Sequence, residues 1–133
     1  MPDVDEGPIL ELEGGSWERR VERSALPVGV MFYSPSCPHC RAISPYFEEY
    51  AKEYKGRMIF GRLNVTVHTW IGEKYGIRGT PTFKFFCNGK PVQEIVGAVY
   101  PALIKRVIED VIRYGPECAK NLTEIDYEIT GYG

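Results

Sequence analysis

The pattern of apolar runs and amphipathic stretches along this chain predicts an α/β domain: a central mixed β-sheet flanked by helices on both faces. Three observations carry that prediction. A compact apolar run, Val28 to Tyr33, leads directly into a helical pattern that begins at Pro38. Strand-like and helix-like stretches alternate as far as Tyr75. Beyond them, Asn88-Gly89 joins two strand-like runs with the dipeptide that a tight hairpin turn prefers, because both central residues must take positive φ.

Taken in order, Ile9 to Leu12 alternates apolar with acidic residues and reads as a short strand. Gly14-Gly15 reads as a turn and Ser16 as the cap of a short helix running to about Ser24. Val28 to Tyr33, rich in β-branched and aromatic residues and bounded by Pro27 and Ser34-Pro35, suits a strand buried on both faces. From Pro38, the residues Ile43, Phe47, Tyr50, Ala51 and Tyr54 recur at helical spacing, with a kink or local break expected at Pro45. Met58 to Val65 returns to strand composition, and His68 to Tyr75 reads as a helix that Gly76 terminates. Thr82 to Cys87 and Val92 to Val96 form the hairpin strands. Ile104, Val107, Ile108, Val111 and Ile112 then share one face of a last helix starting near Pro101. The expected organisation is an N-terminal extension over 1–7, one domain over 8–115 and a C-terminal tail over 116–133.

The 133 residues are enough to bury a core without disulfide staples. A 44% hydrophobic, 26% charged composition is that of an ordinary globular chain. A net charge of −2, with no basic run interleaved with aromatics, argues against nucleic acid as a partner. No apolar stretch approaches the ~18 residues of a membrane span. Met1 to Leu12 is acidic and lacks the charged start and apolar centre of a secretory leader, so the expected location is cytoplasmic; separately, the chain is expected to be a monomer.

Four cysteines are too few and too unevenly spread for a disulfide framework: Cys37 and Cys40 form a close pair, while Cys87 and Cys118 stand alone. Cys37 falls where a strand's carboxyl end meets a helix start, the place where ligand chemistry gathers in such sheets. Thiol–disulfide exchange needs a thiolate, and the unpaired N–H groups and positive dipole end of a helix N-terminus favour one on Cys37. Pro38 fits the first turn, where its missing N–H costs little. His39 adds a donor or positive charge beside the sulfur. Cys40, one turn along, lies within reach to resolve a mixed disulfide formed at Cys37. Whatever stabilises the Cys37 thiolate makes the disulfide a stronger oxidant, so Pro-His between the cysteines points toward oxidation of other proteins. A competing reading takes the CxxC as half of a zinc site with His39 as a third ligand, but no second CxxC or CxxH is present. Polar Ser34, Pro35, Ser36 and His39 suggest an exposed setting for both thiols. Cys87, just before the turn, is expected near the surface.

With strand, CxxC, helix and a later Gly79-Thr80-Pro81-Thr82 in order, the sequence resembles the thioredoxin family over about residues 8 to 114. Lys74 to Thr82 is similar to that family's signature before its cis-proline. The resemblance implies a thioredoxin fold, a cis Thr80–Pro81 bond facing the cysteines, and a loop whose backbone pairs with an extended substrate segment. It implies catalysis by Cys37 and Cys40, tuning by Pro38 and His39, and substrate contacts from Ser36, Thr80, Pro81 and Gly97, with no metal or organic cofactor. Implied partners are proteins carrying thiols or disulfides, together with an electron-exchange partner such as a thioredoxin-reductase-like enzyme or a small thiol. Pro45 also matches, and Arg62 stands where the family commonly carries lysine. Ser36 replaces the usual tryptophan, and Met31 replaces a buried acid that helps deprotonate the resolving cysteine. Cys40 must then lose its proton to water or another group. A non-enzymatic module of the same fold, sensing redox state or holding a metal, is the alternative.

Overall fold

Alternate residues of the central strand feed two separate cores, which is why its sequence is apolar almost without interruption. The computed structural model describes residues 7–97 and 99–114. In β2 (Val28–Tyr33), Val28, Val30 and Phe32 point into one cluster with Leu12, Trp17, Val21, Leu63 and Ile71, while Met31 points into the other. That second cluster joins Phe60, Phe83 and Phe85 of the sheet to Ile43 and Phe47 of α2 (Pro38–Glu53) and Ile104 and Ile108 of α4 (Pro101–Arg113).

The remaining elements are β1 (Ile9–Leu12), α1 (Gly14–Trp17) continued by a π-helical segment (Glu18–Glu22), β3 (Ile59–Asn64), α3 (Thr69–Lys74), β4 (Thr82–Cys87) and β5 (Lys90–Val96). The sheet order is β1-β3-β2-β4-β5. β1, β3 and β2 are parallel, whereas β4 runs antiparallel to β2 and β5 antiparallel to β4. The expected mixed sheet with helices on both faces is what forms.

Several local expectations are corrected. Gly14 and Gly15 begin α1 instead of making a turn, and Ser16 is not the cap: its hydroxyl accepts from the Glu13 backbone N–H at 3.2 Å, from within the first turn. α2 is continuous through Pro45, so the local break does not form: the proline removes one hydrogen bond near an exposed helix face and water can serve the freed carbonyl. β5 begins at Lys90 and carries Pro91 opposite Phe86, where the ladder shifts register between Phe85 and Phe86 and so tolerates the missing N–H. Cys87 is 2% exposed, within the core. It is disulfide-bonded, so no described cysteine is a free thiol. Cys118, Gly115-Pro116 and the alternating stretch Ile125 to Thr130 lie outside the described residues.

Cys87 joins Phe85 in the cluster on the α2 and α4 side of the sheet, and the turn that follows it is packed separately. Asn88 and Gly89 take φ of 56° and 82°, the positive values their dipeptide predicts, and the turn lies against the π-helical segment. A Cβ on Gly89 would sit 2.6 Å from the Glu22 carbonyl oxygen. Gly89→Ala combines positive-φ strain with a backbone clash, so we expect a loss of about 2–3 kcal/mol in urea unfolding. A loss under about 0.5 kcal/mol would show that the turn shifts freely.

Candidate active site

Cys37 is positioned by the end of β2 and the start of α2. After Tyr33 the chain turns through Ser34, whose carbonyl accepts from the Cys37 N–H at 3.1 Å. Cys37 is the N-cap of α2, with extended φ/ψ of −89°/110°, and Pro38 takes the first helical position. The Cys37 sulfur accepts from the Cys40 backbone N–H at 3.0 Å, so a donor at the positive helix end reaches the sulfur. Cys37 and Cys40 are joined as a disulfide, with Cα atoms 5.2 Å apart. Arg41 braces the loop by donating from Nη1 to the Pro35 carbonyl at 2.8 Å.

Both sulfurs are more enclosed than the polar neighbours suggest: Cys37 is 8% and Cys40 3% exposed. Ser36, Pro38 and His39 are exposed around them, so the polarity belongs to the rim and the cysteines to the floor. Of the two, Cys37 is nearer solvent.

The Thr80–Pro81 peptide is cis, and the Thr80 carbonyl oxygen lies 3.5 Å from the Cys37 sulfur. Thr82 ties this loop back by donating its hydroxyl to the Gly79 carbonyl at 2.6 Å. The Gly97 N–H donates to the Pro81 carbonyl at 2.8 Å, and Gly97 has φ of 91° with open space where a side chain would project. Cys37, Thr80, Pro81 and Gly97 are thus neighbours in space, with Ser36 on the adjoining rim.

Behind the disulfide lies a feature that motif reading misses. A cavity of about 440 Å³ is lined by Cys40, Met31, Ser44, Glu48 and Arg62. It shares Ser44, Glu48 and Arg62 with a larger cleft of about 720 Å³ that extends along β1 and α1. β1, β3 and β2 set Glu11, Arg62 and Met31 side by side in register. Arg62 pairs with Glu11, and the Tyr33 hydroxyl donates to the same carboxylate at 2.6 Å. Burial, followed by that hydrogen bond, pushes the Tyr33 phenol up to about 12. The signal was in the sequence as spacing: Cys40, Ser44 and Glu48 fall at i, i+4 and i+8 of one helix face. Among the described residues, no cluster of three or more His, Cys, Asp or Glu is arranged to hold a metal, and no helix is long and apolar enough to cross a membrane.

A thioredoxin family model matches residues 8–110. The chain belongs to the thioredoxin family. Similar proteins include a chloroplastic M-type thioredoxin of Pisum sativum, 40% identical over 104 residues, covering 78% of this chain and 60% of the relative. Thioredoxin 1 of a Nostoc species is 30% identical over 99 residues, 74% of this chain and 92% of that protein. A protein disulfide-isomerase A6 homolog of Caenorhabditis elegans is 37% identical over 86 residues, 65% of this chain and 20% of its own length. The chain thus spans only part of the pea and nematode proteins. The sequence-based recognition of the family and of its fold agrees with these matches.

Proposed function

We propose that this chain is a protein thiol–disulfide oxidoreductase. The observation that carries the reading is the Cys37–Cys40 disulfide at the N-terminus of α2, against the Thr80–Pro81 backbone. In the reducing direction, the Cys37 thiolate attacks a substrate disulfide, forming a mixed disulfide and expelling one substrate thiolate. Cys40, deprotonated, then attacks the Cys37 sulfur. The bond to substrate breaks, the second substrate thiolate leaves with the electron pair, and Cys37 and Cys40 are oxidised to the disulfide. Oxidation of a substrate dithiol is the reverse.

In this reading Pro38 and His39 tune the pair. Thr80, Pro81, Gly97 and Ser36 hold the substrate segment, with loop backbone supplying affinity that asks little of its sequence. The reaction needs no metal or organic cofactor, and electrons pass to or from a reductase-like protein or a small thiol. The names of the matched M-type relatives place those proteins in chloroplasts. We therefore read the location as plastid or cytoplasm, a setting that favours reduction, while the oxidised Cys87 and the Pro-His pair pull toward oxidation.

Replacing Cys37 by Ser tests the reading against a non-enzymatic binding module. Dithiothreitol-driven reduction of insulin, followed by turbidity, should fall to the uncatalysed rate in Cys37→Ser; undiminished activity would overturn the proposal. Direction is read separately from the potential of the pair, by alkylating Cys37 and Cys40 at defined glutathione ratios. A value below roughly −240 mV indicates a reductase, one above roughly −190 mV an oxidase or isomerase.

A further inference from the structure

We propose that Glu48 is the proton acceptor for Cys40, acting through water in the cleft behind the disulfide. This deepens the exchange reading above and rests on it. The resolving residue, Cys40, is 3% exposed, and its sulfur must lose a proton before it can attack. Directly beneath it the sheet offers Met31, an apolar side chain 1% exposed, and the acid in the same row, Glu11, lies two strands away. The proton therefore leaves through the cavity that Cys40 itself lines.

The lining of that cavity singles out Glu48. Arg41 and Arg62 are permanently charged and cannot accept a proton. The Tyr33 hydroxyl is committed to Glu11 at 2.6 Å. Glu48 is the one carboxylate on the wall. Glu11 lines the neighbouring cleft and is held by Arg62 and Tyr33 together.

The helix supplies the path. Eight residues separate Cys40 from Glu48, a rise of about 12 Å, and the glutamate side chain leans back toward the helix N-terminus, leaving a gap that water spans. The Ser44 hydroxyl lies between them on the same face and lines the same cavity, able both to accept and to donate. Pro45 lacks the N–H that would bond the Arg41 carbonyl, which leaves an acceptor for water beside it.

Charged groups from several elements surround Glu48. Arg62 of β3 lines both clefts with it, and Arg41 of α2 lines the inner one. Glu11 of β1, Glu13, Ser16 of α1, and Arg19 and Arg20 of the π-helical segment line the outer one. Arg62 lines the same cavity as Glu48 and Cys40, so one fixed cation stands by both ends of the path. In the resolving step, the Cys40 S–H proton passes by water and Ser44 to the Glu48 carboxylate. The sulfur attacks Cys37, the Cys37–substrate S–S bond breaks, and the substrate thiolate leaves with the electron pair.

The test uses the reduced full chain and one equivalent of 5,5′-dithiobis(2-nitrobenzoate) in a stopped-flow spectrometer. The first thionitrobenzoate released reports attack by Cys37, and the second reports attack by Cys40 on the mixed disulfide. A Cys37→Ser, Cys40→Ser variant subtracts the other two cysteines. In Glu48→Gln, the second phase should slow at least tenfold at pH 7 and its pH profile should move upward, while the first phase stays within twofold. Ser44→Leu, which fills the path and keeps the carboxylate, should slow the same phase. A Glu48 acting only as a nearby negative charge gives the opposite sign: its removal eases thiolate formation and speeds the second phase. That result, or an unchanged second phase, overturns the proposal. Loss of the first phase in the unmutated chain would instead overturn the exchange reading on which it rests.

Discussion

Cys40→Ser should convert the protein from a catalyst into a covalent trap. Cys37 keeps its N-cap position and its contact with the Thr80 carbonyl, so the first attack on a substrate disulfide proceeds. Serine fills nearly the same buried volume, 3% exposed in the parent, and the helix start is preserved. What disappears is a second sulfur whose Cα lies 5.2 Å from that of Cys37. Well-oriented intramolecular groups reach effective molarities of about 10⁵ M and above, which no millimolar external thiol matches, so turnover should fall at least about a hundredfold. Non-reducing electrophoresis and intact mass should show one substrate equivalent bound per chain. That adduct should vanish on adding dithiothreitol and never form in Cys37→Ser. Undiminished turnover with no adduct would mean that the pair is not the reacting centre.

The trap also bears on the order of events. Cys37 is nearer solvent and faces the Thr80–Pro81 loop, whereas Cys40 faces the cavity behind. An adduct on Cys37 in Cys40→Ser, with none on Cys40 in Cys37→Ser, assigns the first attack to the front sulfur.

How far the fold could be read from the chain depended on whether one element or several set the outcome. β2 was legible because its apolar run is continuous, the mark of a strand covered on both faces, and the hairpin because Asn88-Gly89 demands positive φ locally. Cys37 and Cys40 were legible because strand end, proline and helix lie within a few residues of them. The start of α1 was not, because Gly14-Gly15 favours a turn by local propensity, while the Glu13–Ser16 bonding and the buried Trp17 favour the helix. Cys87 was misplaced because the buried cluster it joins, on the α2 and α4 side of the sheet, is assembled from elements distant in the chain. The cleft behind Cys40 escaped for a similar reason: Ser44 and Glu48 read as the polar face of a helix until β3 brings Arg62 beside them.

Phe47→Ala should be among the most destabilising single changes in the domain. Phe47 is fully buried on α2, seven residues beyond Cys40, with its ring centroid 5.4 Å from that of Phe60 and 5.3 Å from that of Phe83. It seats the active-site helix on two strands at once. Truncating a buried phenylalanine costs about 3–5 kcal/mol from lost transfer energy and the cavity left behind. Part of that is the edge-to-face contact with Phe60, a class worth about 0.5–1.5 kcal/mol. Against a total stability of about 5–15 kcal/mol, the loss is a large fraction, and melting should fall by roughly 15–25 °C. Phe47→Leu keeps most of the volume and should cost less than half as much. Below the melting transition, the first phase of exchange should persist in both variants, because the donor to the Cys37 sulfur comes from the first turn of α2 and not from its seat. A loss under about 1 kcal/mol for the alanine variant would mean that α2 is held chiefly at its other contacts, Ile43 and Ala51 on the same face and the Tyr54 hydroxyl donating to Glu109 at 2.6 Å.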